Sequence, residues 1–580
     1  MKLETFFENF EFLTDAPNAV AKLREIILQL SVKGKLVHQY LNDEPASVIL
    51  KNIEIEKENL IKQKKIKRID SLPAIDFNNL PYAIPKNWEW ARLGSLVEVI
   101  TKGSSPKWQG VNYVEDNSGT LFITSENVQN YVLDVTEPKF VEAKFNEIEP
   151  RSILERNDVL MNIVGASIGR TAIFDRDDVA NINQAVCLIR FISPEKFIEL
   201  RYILHFFNSP VCISFMFDKQ VDSARANLSM GNIAKFPIPL PPIAEQKRIV
   251  EKCDRLLSIC DEIEKRQQQR QESIVRMNES AIAQLLSSQN PDEFRQHWQR
   301  ICNNFDLLYN IPETIPKLRQ AILQLAVQGK LVRQDPNDEA ASVLLKKINA
   351  EKAKLEINKK NRAFKEQILT EYVNAPFEIP SNWLWLKVDD LYDVSGGIQK
   401  TPKRTPISNF FPYLRVANVH RRRLDLSQLE YFELVQGELE RWKLQSGDLL
   451  IVEGNGSENE IGRCAIWNAE IDNCVHQNHI IRARPIGHNS QLFTLLFLNS
   501  PSGMAEMRNL AITTSGLFSL SVGKIREILV PLPPLAEQKR IVEKCDRLMS
   551  LCDTLEAKLK QGRDSSEKLM EVAAKQVLTA

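Results

Sequence analysis

A long apolar run is the first feature that the sequence lacks, because nowhere among its 580 residues do eighteen apolar residues follow one another. A helix that spans a membrane needs about 20 such residues, so the sequence predicts no transmembrane segment. Its first residues show neither the basic nor the apolar region of a secretion signal. We therefore expect a cytoplasmic protein that does not associate with a membrane.

An excess of one charge is also missing, because 75 Lys and Arg residues balance 75 Asp and Glu residues. The chain as a whole is therefore no polybasic nucleic-acid binder, and any site for a polyanion must be local. The nine cysteines form no C-x-x-C pair, which argues against a zinc site and predicts reduced, mostly buried thiols. The composition, 43% hydrophobic and 26% charged, is typical of a soluble chain with several cores.

The sequence contains the same framework twice. Three segments recur in the same order, at an offset of 295 residues early in each copy and 292 residues late in it. Such an offset is far too long for a solenoid repeat and indicates two copies of one large unit. The matching pairs are 22–53 with 317–348, 84–90 with 379–385, and 239–264 with 531–556.

The middle of each copy, roughly residues 95–235 and 390–527, differs between the copies. The shared segments are therefore expected to build one framework twice, which leaves the middles free for two different tasks. A pseudo-symmetric chain suits a target with two half-sites, as dimeric DNA-binding proteins suit paired half-sites. Many duplicated proteins are transporters or enzymes, so duplication alone leaves those alternatives open.

Amphipathic helices are predicted at both ends of each copy. Leu23, Ile26 and Leu30 lie on one face of a helix that should end at Gly34, and the second copy repeats this pattern up to Gly329. A longer helix should follow each Pro-Leu-Pro-Pro segment, because proline is tolerated in a first turn.

The longer helices carry the spacing of a coiled-coil seam. Neither proline nor glycine interrupts the first of them up to about residue 285, so it would reach on the order of 60 Å. Apolar residues step by four and three, and we expect the two helices to pair antiparallel to cover them. The seam residues are Ile249, Cys253, Leu256, Cys260 and Ile263, repeated as Ile541, Cys545, Leu548, Cys552 and Leu555.

The middles contain short β-type runs between turn residues, at 158–164, 184–190, 448–452 and 479–482. These runs predict globular α/β domains carried on helical arms. Trp88, Trp90, Trp383 and Trp385 stand at the entry to the two middles and are shared by both copies, which indicates core anchors rather than platforms for bases.

Several motifs together resemble those of one protein family. The PLPP-[IL]-AEQKRIV segments at Pro239 and Pro531 and the Ile-Pro-x-Asn-Trp-x-Trp segments at Ile84 and Ile379 resemble the specificity (S) subunit of type I restriction-modification systems. The strand starts at 157–160 and 447–450, each followed by Ile-Gly-Arg, fit the same pattern. The resemblance covers nearly the whole chain, in order and twice.

The resemblance implies a DNA-recognition subunit that is not itself an enzyme. Each middle would be a target recognition domain that reads one half of a bipartite sequence in double-stranded DNA. The paired helices would act as a spacer and dock two methyltransferase (modification) subunits, which restriction/translocase subunits join. This chain would hold no cofactor, and S-adenosylmethionine, ATP and Mg would belong to the partner subunits.

The expected fold class is α/β (α+β), with two globular α/β target recognition domains separated by a long antiparallel helical coiled coil in a pseudo-two-fold internal repeat. The expected domains are 1–75 (N-terminal helical arm), 76–242 (target recognition domain 1), 243–316 (central long helix and linker), 317–374 (second helical arm), 375–534 (target recognition domain 2) and 535–580 (C-terminal long helix).

The sequence lacks catalytic motifs, which is consistent with a recognition subunit that is not an enzyme. The sequence has no G-x-x-x-x-G-K-[ST] phosphate loop, no G-x-G-x-x-G after a strand and no Asp/Asn-Pro-Pro-aromatic motif of adenine methyltransferases. Glu142 and Lys144 have the spacing of a nuclease motif that also arises by chance, and His476 and His479 lack further zinc ligands. An autonomous DNA-modifying or cleaving enzyme with an unrecognised site, or a DNA-independent protein-interaction scaffold, is the alternative.

Residues for DNA contact are sought among cations, which neutralise phosphates, and among polar side chains that can reach base edges. The loops 102–109 and 396–404 combine both kinds, and residues 421–423 form the strongest local cationic cluster. Solvated turns and strand-end caps are the alternative explanation. The candidate DNA-binding residues are Lys102, Ser104, Ser105, Lys107, Gln109, Asn127, Arg170, Gln184, Gln399, Lys400, Lys403, Arg404, Asn418, His420, Arg421, Arg422, Arg423, Arg463, Gln477 and Asn478. We expect no catalytic and no metal-binding residue.

Overall fold

The chain divides into two compact units in the computed structural model. Unit 1 consists of residues 1–269 and 562–580, and unit 2 of residues 270–561. The structure describes residues 16–66, 72–76, 80–115, 118–218, 228–358, 375–401, 404–455, 457, 460–487, 490–514 and 517–579. No helix in these ranges is both long and apolar enough to span a bilayer.

The helices fall into two long ones and a larger number of short ones. The long helices, Ile243–Leu286 and Leu535–Thr579, directly follow the two Pro-Leu-Pro-Pro segments, as predicted. The short helices of unit 1 are Ala19–Val32, Ala46–Lys62, Leu93–Leu96, Lys144–Ile148, Pro194–Phe197, Leu200–Phe207, Pro210–Asp218 and Met230–Ala234. Those of unit 2 are Pro291–Asn303, Phe305–Leu308, Ile315–Val327, Ala341–Asn358, Val388–Leu391, Glu438–Trp442, Gln491–Leu498, Pro501–Leu510 and Val522–Glu527.

The strands lie mainly in the two middles, where the β-type runs predict them. In unit 1 they are β1 Glu89–Arg92, β2 Val97–Lys102, β3 Tyr113–Val114, β4 Thr120–Ile123, β5 Phe140–Val141, β6 Asp158–Asn162, β7 Thr171–Phe174, β8 Ala180–Ile182, β9 Val186–Phe191 and β10 Pro237–Leu240. In unit 2 they are β11 Leu384–Lys387, β12 Tyr392–Ser395, β13 Phe410–Leu414, β14 Val419–His420, β15 Arg423–Leu424, β16 Glu430–Glu433, β17 Leu449–Val452, β18 Gly454–Asn455, β19 Cys464–Ile466, β20 Val475–His476, β21 Ile480–Pro485, β22 Ile512–Thr514, β23 Leu517–Ser519 and β24 Leu529–Leu532.

The two middles share the topology of their central sheet although their sequences differ. Each contains a four-stranded antiparallel sheet, in the order β2-β9-β6-β7 in unit 1 and β12-β21-β17-β19 in unit 2. A second sheet holds a parallel pair at the equivalent place, β4 with β8 and β13 with β20. Among the described residues the second sheet has four strands in unit 1 and three in unit 2, and unit 2 contains a further sheet, β18-β23-β22. The copies therefore share a central scaffold and differ in its side chains, loops and outer strands.

The central strands β6 and β17 carry consecutive apolar residues because both faces of the sheet are covered. In β6, Val159 and Met161 belong to one hydrophobic core and Leu160 belongs to another. In β17, Leu449 and Ile451 face one core while the residue between them faces a second. Successive strand side chains point to opposite faces, so two cores demand an unbroken apolar run.

The shared motifs build the same joint in both units. Strand β1 pairs with β10 and β11 pairs with β24, so that Trp90 lies opposite Pro239 and Trp385 opposite Pro531. Next to the first pair, the indole N–H of Trp88 donates to Glu245 (3.0 Å). Next to the second pair, the indole N–H of Trp383 donates to Glu537 (2.9 Å). The joint ties the start of each middle to the first turn of a long helix. Trp88, Trp90 and Trp383 are buried and Trp385 is half-buried, as expected of anchors.

The arm helices end where the sequence predicts. Gly34 and Gly329 follow the helices Ala19–Val32 and Ile315–Val327 with left-handed backbones (φ +66° and +69°). A Cβ atom at either glycine would lie 2.5 or 2.6 Å from a proline ring of the Ile-Pro segment. Glycine is therefore required for both conformation and space.

Each unit contains the start of one long helix and the end of the other. In unit 1, Ile249 and Cys253 share a core with Met570 and Val577, and in unit 2 the start of Leu535–Thr579 shares a core with Leu285. This is the arrangement that antiparallel pairing requires, and the predicted fold class is confirmed. The arm helix also covers part of the seam, which the periodicity did not predict. Arg24 of the arm pairs with Asp261 and Glu264, and Arg319 pairs in the same way with Asp553 and Glu556.

All nine cysteines are free thiols, and only Cys302 is exposed. The prediction of mostly buried thiols is confirmed. Burial raises the pKa of Cys253 and Cys545 to about 12, so both remain protonated at neutral pH.

Candidate nucleic-acid interface

In both middles, the loop that follows the first strand of the four-stranded sheet crosses the end of a strand that is distant in sequence. In unit 1 the loop after β2 crosses the end of β8, and in unit 2 the loop after β12 crosses the end of β20. A Cβ atom at Gly103 would lie 1.7 Å from the carbonyl oxygen of Ile182, and one at Gly397 would lie 2.3 Å from the carbonyl oxygens of His476 and Gln477. Two backbone hydrogen bonds of 2.9 Å join Ile398 to His476 and Asn478. The loop candidates and the strand-end amides, which are far apart in sequence, are thus brought together.

In unit 1 this loop presents two cations and an aromatic ring. Lys102 and Lys107 are exposed, and Trp108 between the candidates is 75% exposed. Ser104, Ser105 and Gln109 are half-buried. The Gln109 amide donates to Ser104 (3.0 Å) and Glu149 (2.8 Å), so it holds the loop in shape. Trp108 was not among the candidates, although an aromatic residue flanked by polar and basic ones in a loop is a usable signal.

In unit 2 the equivalent loop is more strongly paired. Gln399 and Lys400 are exposed, but the Lys400 ammonium lies 2.7 Å from Glu430. Arg404 makes a bidentate pair with Glu438 (2.7 and 2.9 Å), and this guanidinium is the main reason that the pKa of Glu438 falls to about 2. Lys403 lies outside the described residues.

Asn127 and Asn418 lie inside the domains, where their side chains hold loops. The Asn127 side-chain oxygen accepts from the Thr124 N–H (2.8 Å), and its amide donates to the Asp134 carbonyl (2.9 Å). Asn418 accepts from Arg415 and donates to Asp425, each at 2.8 Å. They are 8% and 3% exposed, so these amides stabilise the loops and do not face solvent.

The three consecutive arginines occupy different environments. They belong to the hairpin of β14 and β15, whose turn consists of residues 421 and 422. Arg421 is half-buried, and burial lowers its pKa. Arg422, with a left-handed backbone, lies 3.1 Å from Asp546 of the long helix. Arg423 is exposed and His420 half-buried, so only part of the cationic cluster faces outward.

The remaining candidates lie directly before β7 and β19 or just after the distant strands β8 and β20. Arg170 is exposed and donates to Gln129 (2.8 Å), whereas Arg463 is half-buried and contacts Glu460 and the Val416 carbonyl, both at 3.3 Å. Gln184, Gln477 and Asn478 are half-buried, and the Gln477 oxygen accepts a long bond from the Val416 N–H (3.4 Å).

Local contacts explain the two residue pairs that have the spacing of a nuclease motif and of zinc ligands. Glu142 accepts from the Asn112 N–H (2.8 Å) and pairs with Lys144 (2.9 Å). His476 is buried against the Ile480 carbonyl, and His479 pairs with Glu453. Within the described residues, no three His, Cys, Asp or Glu side chains are grouped to hold a metal ion.

Comparison with known proteins decides the family. The model of the type I restriction modification DNA specificity domain matches residues 85–272 and 380–562, which is more than half of the chain. The chain belongs to this family. The resemblance drawn from the motifs is confirmed, and with it the role of a specificity subunit in DNA sequence recognition. The two matched segments of this type I specificity subunit suit a bipartite site.

Relatives match over nearly the full length. The EcoEI specificity subunit of Escherichia coli is 28% identical over 566 residues, which cover 94% of this chain and 92% of the relative. The EcoAI specificity subunit of the same species is 29% identical, with the same coverage. Among solved structures, the HsdS subunit from Thermoanaerobacter tengcongensis is 15% identical, covers 86% of this chain and 98% of its own, and has a TM-score of 0.39.

Proposed function

We propose that the two domains, residues 76–242 and 375–534, each read one half of a bipartite sequence in double-stranded DNA. The observation that supports this most strongly is the common scaffold with different loops: the same loop crosses the same strand end in both domains, but with different side chains. Two domains with the same scaffold can be attached to the long helices in the same way, while their loops recognise different bases.

For each domain we define a reading surface from candidates on this loop and at the strand end, together with the residue before β7 in unit 1 and the hairpin of β14 and β15 in unit 2. Lysine and arginine at these places would neutralise phosphates, and the amides would reach base edges. Engaged polar groups and burial together mark the candidates that would support the loops instead, which are Asn127, Asn418, Gln109, Arg404 and Arg463. Lys400 and Arg170 also have partners within the domain, but they are exposed and are therefore kept. The reading surface comprises Lys102, Ser104, Ser105, Lys107, Arg170 and Gln184 in unit 1, and Gln399, Lys400, His420, Arg423, Gln477 and Asn478 in unit 2.

The long helices would dock two methyltransferase subunits, through which restriction/translocase subunits join. Catalysis, together with S-adenosylmethionine, ATP and Mg, would then belong to these partners, and this chain would be non-catalytic and work in the cytoplasm. The relatives named above are specificity subunits of type I restriction enzymes, which supports this division of labour.

A domain exchange tests the assignment. Replacing residues 95–235 with the equivalent segment of another specificity subunit should change one half of the methylated sequence, and replacing 390–527 should change the other. The measurement is the genome-wide map of methylated adenines in cells that carry the complete system. A change of both halves by either exchange would contradict the proposal.

The purified chain distinguishes the remaining alternatives. We expect no methylation or cleavage without added methyltransferase subunits, whereas an autonomous enzyme would be active alone. With the methyltransferase present, retention of duplex DNA should weaken steeply with added salt, because phosphate neutralisation releases counterions. A DNA-independent scaffold would show no such retention.

A further inference from the structure

A hairpin tip with an unusual backbone occurs at the same place in both domains. Tyr131 in unit 1 and Arg422 in unit 2 both adopt positive φ, 67° and 62°, which non-glycine residues seldom do. Each backbone N–H donates at 2.9 Å to the equivalent strand, to Thr171 and to Cys464 respectively. We call these two residues the tip residues.

The tip residue of unit 2 contacts the long helix directly. Arg422 lies 3.1 Å from the carboxylate of Asp546. Asp546 belongs to the segment Glu-Lys-Cys-Asp-Arg-Leu near the start of Leu535–Thr579, and the same six residues in Ile243–Leu286 contain Asp254.

In unit 1 the tip residue reaches Asp254 through two intermediates. Asp254 lies 3.0 Å from Arg201 and 3.3 Å from the Nε2 atom of His205, a fully buried side chain. The hydroxyl of Tyr131 lies 3.2 Å from the Nδ1 atom of His205, and the Arg201 guanidinium stacks 5.4 Å from the centre of the Tyr131 ring.

The partners of the aspartate change together between the copies. Arg201 and His205 lie on the helix Leu200–Phe207, which corresponds to Gln491–Leu498 because Asn-Ser-Pro follows both. The equivalent residues in unit 2 are Leu492 and Leu496, which cannot pair with a carboxylate. From unit 1 to unit 2, the helix thus loses the cation of Arg201, and the tip residue changes from Tyr131 to the cation Arg422. Both units thus retain a contact between the hairpin and the same position of the long helix.

We propose that the tip residue and the helix aspartate fix the reading surface of each domain against the long helix of its own unit. Arg422 is then a positioning residue for DNA recognition and does not itself contact DNA. The inference rests on the proposed function, because the same hairpin carries His420 and Arg423 of the reading surface. Tyr131 with His205 and Arg201 performs this task in unit 1.

Charge exchange separates positioning from direct contact. The variants are Arg422→Asp, Asp546→Arg, the double variant with both changes, and Asp546→Asn, each in the complex with methyltransferase subunits. We expect each single change to weaken binding of a duplex with the methylated sequence about two- to fivefold, as loss of an exposed ion pair does. The double variant should recover most of this loss. If Arg422 contacts a phosphate instead, Asp546→Asn will not weaken binding and the double variant will not recover it, and the proposal is overturned.

Hydrogen exchange of the hairpin provides a readout without DNA. In the free full-length chain, Asp546→Asn should accelerate amide exchange in residues 419–424, whereas Asp553→Asn, which removes a carboxylate paired with the arm helix, should not. Unchanged exchange in the hairpin overturns the contact itself. Faster exchange with unchanged DNA binding overturns the positioning role alone, whereas failure of the unaltered complex to bind DNA overturns the proposed function.

Discussion

The crossing of loop and strand end at Gly103 permits a sharp test of the reading surface. A Cβ atom there would lie 1.7 Å from the Ile182 carbonyl oxygen and 2.4 Å from its carbonyl carbon. Contacts below 3.0 Å do not persist, and both neighbours are backbone atoms that cannot rotate away. In the variant Gly103→Ala the distance from the Cβ atom to the Ile182 oxygen must therefore grow from 1.7 Å to at least 3.0 Å, which requires the two backbones to move apart.

The expected cost has two parts. Overpacking of a buried contact destabilises by about 1–3 kcal/mol, and the rigid backbone on both sides favours the upper end of that range. Separation of the loop also moves Lys102 and Ser104 away from Gln184, so contacts to the first half-site weaken. Loss of one specific base contact costs about 1–3 kcal/mol, which corresponds to a loss of DNA affinity of about five- to 150-fold.

Gly231→Ala in the same unit is the matched control. No atom lies within 4 Å of a Cβ at this helical glycine, so the variant should be as stable as the unaltered chain, or more stable by up to about 1 kcal/mol. Urea unfolding followed by tryptophan fluorescence measures stability, with the two units analysed as separate transitions. Binding of duplex DNA is measured with methyltransferase subunits present. Equal unfolding midpoints and equal DNA affinities for the two variants would refute the reasoning.

Three further predictions concern buried and exposed charges. Trp88→Phe removes the donor to Glu245 and should lower the free energy of unfolding by about 1–3 kcal/mol. Because burial already raises the pKa of Glu245, the loss in urea titrations should be larger at pH 7, where the carboxylate is charged, than at pH 4; an equal loss at both would be contrary to this account. Burial, reinforced by the charge of Arg482, lowers the pKa of His476 to about 4, so the folded state binds fewer protons than the unfolded state. Stability should fall by up to about 3 kcal/mol as the pH drops from 6.5 to 4, and His476→Gln should flatten this part of the curve. Finally, Arg423→Ala should reduce the slope of log affinity against log salt by about one, whereas Arg404→Ala, whose guanidinium is held by Glu438, should leave it unchanged.

Much of the architecture could be predicted from the sequence because its signals are local. Proline at a first turn, glycine at a helix end and apolar spacing of three and four residues act over a few residues, and they predicted the ends of the arm helices and the starts of the long ones. The β-type runs likewise predicted β6, β9, β17 and β21 to within a few residues. The arm helix against the seam could not be predicted, because its contacts join residues more than 200 positions apart, such as Arg24 and Asp261.

The candidate site was predictable as regions but not as individual side chains. The loops at Gly103 and Gly397 do meet the strand ends, yet the sequence treats loops and strand ends as separate candidates. Asn127 has the residue type expected of a base-reading amide, but its hydrogen bonds to Thr124 and Asp134 lie inside the domain. Side-chain direction and burial decide such cases, and neither follows from residue type.

By itself, the sequence determined that one framework is used twice, where its helices begin and end, and to which family the chain belongs, since these depend on repeated segments and local spacing. Only the tertiary structure decided that the different middles share one sheet topology and that the three arginines 421–423 occupy different environments. Backbone topology depends on which faces are apolar and tolerates many sequences, whereas the environment of a charge depends on residues that only folding brings within 3–4 Å.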